Sequence, residues 1–181
     1  MKTKFIILIA LFTSVFVGCK DEKSVDELKV KEANVETDGF KINFKAVINE
    51  DDEFHLFYTE DGSDAFNGEN LLKVQKKSSN EPQDITFVFP EDAAPMNIRL
   101  DLGNNEKQGN VKINEMTIEY KGKKFQAEGM NVFKYFFPNN FVEFDTINSQ
   151  AKIKIIPGTH YDPIMVANEE MKLEIQKLYK K

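Results

Sequence analysis

An all-β domain, an antiparallel β-sandwich or jelly roll with a C-terminal helix, is the fold class that three observations predict. Phe40, Ile42, Phe44, Ala46 and Ile48 alternate with Lys41, Asn43, Lys45 and Val47, the period of two that gives a strand one buried face. Met96, Ile98, Leu100 and Leu102 repeat the pattern against Asn97, Arg99 and Asp101. Short apolar runs then recur at fairly even intervals with turn residues between them, as in folds built from many short antiparallel strands.

Taken in order, residues 19–36 are charged and carry few large apolar side chains, which reads as a tether ahead of a domain over 37–181. Within it Ser24 and Glu27 have capping-box spacing for a short helix. After the first strand, candidates follow at Phe54–Tyr58, Leu71–Gln75, Ile85–Phe89, Met96–Leu102, Val111–Ile113, Met116–Tyr120, Lys124–Ala127, Val132–Phe136, Phe141–Phe144 and Ala151–Ile156. The breaks hold turn chemistry, among them Asn67-Gly68, Gly103-Asn104, Pro138-Asn139 and Pro157-Gly158, and Lys121-Gly122-Lys123 reads as a hairpin turn. The apolar phase slips between Ile113 and Met116, so Asn114-Glu115 marks a β-bulge or a crossing between sheets. Four aromatics in five positions, Phe133, Tyr135, Phe136 and Phe137, exceed what one sheet face can bury, so some meet solvent, a covering loop or a partner. At the C-terminus Met171, Leu173 and Ile175 alternate like a strand, whereas Met171, Ile175 and Leu178 form a helical stripe. Asn168 as cap, Glu169 and Glu170 at the start and Lys177, Lys180 and Lys181 at the end favour the helix.

The N-terminus determines the expected compartment. Lys2 and Lys4 precede thirteen uncharged residues, Phe5 to Val17, and Lys20-Asp21-Glu22-Lys23 follow soon after. That run is shorter than the roughly 20 apolar residues a membrane span needs, and fits a signal peptide over 1–18. Phe16-Val17-Gly18-Cys19 resembles the lipobox of bacterial lipoproteins, with Phe16 where Leu is usual. The resemblance implies lipid on Cys19, cleavage before it, and anchoring in a membrane by acyl chains such as palmitate; two or more chains hold stably where one does so only marginally. Lys20-Asp21-Glu22 is similar to the Lys-then-acidic export signal of Bacteroidetes-type surface lipoproteins, which implies an outer-membrane and cell-surface location.

Composition narrows the function classes. The full chain carries a net charge of −6, and loss of Lys2 and Lys4 with the signal peptide leaves −8. An acidic chain without a long Lys/Arg block is poorly suited to nucleic acid. With the only cysteine lipidated, packing rather than a disulfide must supply stability. His55 and His160 lie far apart, no G-x-S-x-G elbow occurs, and Asp51-Asp52-Glu53 and Asp61-Gly62-Ser63-Asp64 offer oxygen ligands without EF-hand order. No catalytic residue, metal or cofactor is assigned, and His55 reads as a packing residue.

Phe54-His55-Leu56-Phe57-Tyr58, then Ile98-Arg99-Leu100-Asp101-Leu102-Gly103-Asn104 and Val111-Lys112-Ile113, with Tyr161-Asp162-Pro163 as an end, resemble a β-sandwich module. That module is appended to membrane glycosyltransferases and cell-surface polysaccharide proteins, and the resemblance implies a carbohydrate-binding-like sandwich without an established catalytic role. The candidate binding residues are Tyr58, Arg99, Asp101 and Asn104. Arg99 and Asp101 share the polar face of one strand and either bracket sugar hydroxyls or form a structural ion pair that fixes neighbouring loops. The leading expectation is a surface lipoprotein that binds a glycan or a protein without catalysis. A glycan-processing hydrolase and a structural envelope lipoprotein are the alternatives.

Overall fold

A computed structural model describes residues 38–180. The signal peptide, the Ser24 capping box and the lipidation site at Cys19 lie outside the described residues. Among the described residues eleven strands and one α-helix follow in order: β1 Lys41–Ile48, β2 Asp52–Thr59, β3 Leu71–Lys76, β4 Ser79–Val88, β5 Asn97–Asp101, β6 Asn110–Tyr120, β7 Lys123–Glu128, β8 Phe136–Pro138, β9 Val142–Asp145, β10 Gln150–Ile153, β11 Ile164–Ala167 and α1 Glu169–Tyr179. They form two antiparallel sheets packed against each other, with α1 at the C-terminus. Sheet I runs β4-β1-β6-β10-β9, with β7 also on β6, and sheet II runs β3-β2-β5-β11-β8.

The alternation in β1 builds the centre of sheet I. Ile42, Phe44, Ala46 and Ile48 are buried, and so are Ile113, Met116 and Ile118 beside them on β6 and Ile85 and Phe87 on β4. Phe54 and Leu56 of β2, Ile98 and Leu100 of β5 and Met165 of β11 close on them from sheet II. Each of the larger of these side chains removed from water contributes roughly 1.5–3 kcal/mol before the ordering entropy is subtracted. Edge-to-face rings tie the ends of the layer together: Phe40 lies 5.1 Å from Phe89, and Phe89 5.0 Å from Tyr58.

The phase slip in the sixth strand is a β-bulge. Lys45 pairs with Glu115 but Ala46 pairs with Ile113, which leaves Asn114 as the extra residue. At that point β6 also exchanges partners on its other edge, from β10 over Asn110–Lys112 to β7 over Glu115–Tyr120. Val111–Ile113 and Met116–Tyr120 are therefore one bent strand in one sheet.

Three expectations are corrected. Val132–Phe136 is not a strand: Gly129–Tyr135 winds as a 3-10 turn and β8 starts only at Phe136. Val132 and Phe133 are consecutive and both buried, which a helical turn places on one side of the segment and a strand would split between two faces. Strand β4 begins at Ser79, six residues ahead of Ile85, because its first half is an exposed edge with no inward apolar side chain to betray it, and an edge tolerates Pro82. Strand β10 stops at Ile153, short of Ile156. The C-terminal ambiguity resolves as the helix. Asn168 Oδ1 accepts from the Met171 amide at 3.1 Å, and Met171, Ile175 and Leu178 are the buried stripe.

Candidate functional site

The outer face of sheet II carries a residue row that crosses all five strands. Leu71 of β3 pairs with Phe57 of β2, Phe57 with Arg99 of β5, Arg99 with Val166 of β11, and Val166 with Phe137 of β8. A second row, Lys73, His55, Asp101 and Ile164, lies beside it. Register alone brings these residues together, because side chains at i and i+2 of every strand share a face.

Arg99 is the centre. Its Nε donates to Asp101 Oδ1 and its Nη2 to Asp101 Oδ2, both at 2.8 Å, a forked pair between residues two apart on one face. Nη2 also stands 3.6 Å from Asp162 Oδ1, and Cζ lies 4.6 Å from the centroid of the Phe57 ring, within cation–π range. Among the described residues Nη1 makes no hydrogen bond. Burial raises the Asp101 carboxyl above its ordinary value, and the Arg99 guanidinium acts in the opposite direction. Next to this pair, His55 Nε2 meets Glu53 Oε1 at 2.6 Å; His55 and the Gln75 amide hold the Glu53 carboxyl below its ordinary value.

Beside Arg99 the face opens into a groove of about 410 Å³, with Phe66, Phe137, Ile164 and Val166 as apolar walls and Lys172 of α1 at its end. Phe137 is 65% exposed. Lys172 is held by Glu169 at 3.0 Å and Asp64 at 3.7 Å. Arg99 is among the residues that line the groove, with Ala167 and Asn168 at the junction of β11 and α1. The Asp101 oxygens both face Arg99, an arrangement that orients the guanidinium.

Of the candidate residues read from the sequence, Arg99 and Asp101 lie side by side and form the forked ion pair described above. Tyr58 stands elsewhere: it points into the core, 6% exposed, on the opposite face of sheet II. Its burial raises the phenol above its ordinary value. Asn104 lies exposed in the loop after β5, where its amide donates to Asp52 Oδ1 at 2.7 Å. Asp52 also accepts from the Asn105 amide and from Gln108 Nε2, so this member of the acidic run serves as a loop anchor. In the other run Asp61 Oδ1 accepts from the Ser63 amide and Asp64 Oδ1 from Asn97 Nδ2. Among the described residues no group of three or more His, Cys, Asp or Glu is arranged to hold a metal ion. His55 packs at the edge of the Phe57 ring, and His160 is exposed.

Phe57 stood in the Phe54–Tyr58 strand without a binding role, and Phe66, Ile164, Val166 and Lys172 carried no expectation of a site. The aromatic excess around Phe137 signalled an outward ring, whereas Ile164-Met165-Val166 after Pro163 is an apolar run too short to mark which side faces out. Phe66 had no local signal, since it reaches the groove from a loop. No protein-family model, curated protein or solved structure matches the chain.

Proposed function

We propose that this chain is an outer-membrane lipoprotein, anchored through lipid on Cys19 and exposed at the cell surface, whose β-sandwich is a non-catalytic binding module. The binding surface is the outer face of sheet II and its ligand is a glycan. The supporting observation is the uncovered groove beside Arg99: Phe137 offers an apolar ring, and Nη1 of a guanidinium already immobilised by Asp101 and Phe57 offers a donor. Sugar rings present apolar C–H faces and hydroxyl acceptors, which such a pair of groups complements. For the anchor the support is the lipobox-like segment ending at Cys19, the only cysteine.

Two measurements test the reading. A glycan array probed with the mature protein should give a positive class whose signal disappears in Phe137→Ala, while capture of a protein partner instead would move the same face to protein recognition. Cys19→Ala should abolish palmitate incorporation and membrane fractionation. Equal labelling of mutant and wild type would remove the lipoprotein assignment.

A further inference from the structure

We infer that the β6–β7 hairpin is a membrane-facing contact that seats the domain on phosphate-bearing lipid headgroups. Lys121, Lys123 and Lys124 fall within four positions and are all exposed, in a chain whose overall charge is negative. The turn is made by Lys121 at φ 47 and Gly122 at φ 74, and the Lys121 ammonium stands 5.1 Å from the centroid of the Tyr120 ring. The Lys121 amide donates to the Asp38 carbonyl at 3.2 Å, so the hairpin tip is joined to the point where the chain enters the domain.

Between them lies a hollow of about 300 Å³ walled by Lys41, Lys121, Lys123 and Lys124, with Asp38 and Glu119 as its acidic members. Glu119 is neutralised by Lys41 at 2.7 Å. The Lys123 ammonium bonds the Lys180 carbonyl, which brings the exposed end of α1 to the same spot. Glu91 faces Lys121 across a neighbouring hollow, and Glu60 and Asp92 stand near Tyr58 at this end of the sandwich. The cationic contact is accordingly the hairpin and its hollow rather than the whole end of the molecule.

The inference rests on the lipid anchor proposed above, because the anchor supplies the membrane. The Lys121–Asp38 hydrogen bond puts the hairpin at the point where the tether enters the domain, and residues 20–37, even fully extended, span at most roughly 60 Å, so the hairpin stays within reach of the surface. Anionic headgroups attract clustered lysines over a distance of about one Debye length, ~8–10 Å at ordinary salt. Docking would orient the sandwich and present the loops at the other end, around Asp52 and Gly103, away from the bilayer.

The test is lysine footprinting of the mature protein mixed with vesicles of phosphatidylcholine alone or of phosphatidylcholine with phosphatidylglycerol. An amine-acylating reagent and mass spectrometry read each lysine. Acylation of Lys121, Lys123 and Lys124 should fall several-fold on the anionic vesicles and recover in molar salt, with Lys77 and Lys107 at the far end unchanged. Joint replacement of the three hairpin lysines by Gln should remove the protection of Lys41 and Lys180. Protein that floats with both vesicle types yet shows equal acylation on each overturns the hairpin contact and leaves the anchor standing. Flotation with anionic vesicles alone supports the hairpin and overturns the anchor. Flotation with neither overturns both.

Discussion

The Asp52 carboxylate fills the space that a side chain on Gly103 would need. Gly103 sits at φ +104, and a Cβ built there falls on both carboxylate oxygens of Asp52. The same carboxylate accepts the amides of Asn104 and Asn105, at 2.7 Å and 3.2 Å, and so holds the loop that follows β5. Sequence pattern at Gly103-Asn104 indicates a turn; its dependence on a residue 51 positions earlier comes from the approach of β2 to β5.

Gly103→Ala should therefore combine a disfavoured backbone with a displaced anchor, at a cost of about 2–4 kcal/mol. Asp52→Asn keeps the shape and one acceptor, and should cost less, about 1 kcal/mol. Urea melts of the two variants check the order; equal midpoints would show that the close approach is not limiting.

Arg99 and Phe137 should separate stability from binding. Arg99→Ala strands Asp101, whose side chain is only 10% exposed, so a loss of about 1–3 kcal/mol follows after allowance for the partial exposure of the arginine. Arg99→Lys keeps the charge but not the fork and should recover part of that loss. Phe137→Ala, on an exposed ring, should melt within about 0.5 kcal/mol of wild type and lose ligand. An Arg99→Ala protein that melts like wild type would assign the pair to recognition alone.

Acid should destabilise the fold. Lys152 and the side chain and amide of Asn148 hold the Asp145 carboxyl far below its ordinary value of 3.8, and Asp51, Glu53, Asp61 and Glu143 are lowered as well. A lowered group contributes stability that is complete above its unfolded value and disappears as pH falls through its folded one. Asp101 acts with the opposite sign, since its raised carboxyl favours the folded state at low pH. Five lowered carboxyls against one raised predict a melting temperature that falls below about pH 4. Asp145→Asn should flatten that acid limb, and an unchanged profile would show that the Lys152 contact contributes nothing in solution.

Asn168 joins two elements. Its Oδ1 accepts the Met171 amide and its Nδ2 donates to the Lys134 carbonyl at 2.7 Å, linking the start of α1 to the 3-10 turn. Asn168→Ala should cost about 1–2 kcal/mol, more than Asn168→Asp, which keeps the cap alone. Circular dichroism melts read the difference; identical losses would mean that only the cap contributes.

What the sequence determined by itself is local. Period-two alternation marks Phe40–Ile48 and Met96–Leu102 as strands with one buried face; Asn168 with Glu169 and Glu170 favours a helix start over the competing strand pattern; the slip before Met116 marks an irregularity, either a bulge or a crossing between sheets. Tertiary structure decided the rest. Short stretches such as β8 and β11 have too little pattern to specify a partner, and they are placed by the burial of Phe136, Met165 and Ala167 against a core assembled from elsewhere. Tyr58 and Arg99, both in strands legible from the sequence, end on opposite faces of sheet II once β2 and β5 pair in register. Phe57, Phe66, Phe137 and Val166 reach Arg99 from β2, a loop, β8 and β11, and Asp162 from the chain just ahead of β11. Such contacts between distant segments arise from the summed burial of the whole sandwich, which no window of the sequence contains.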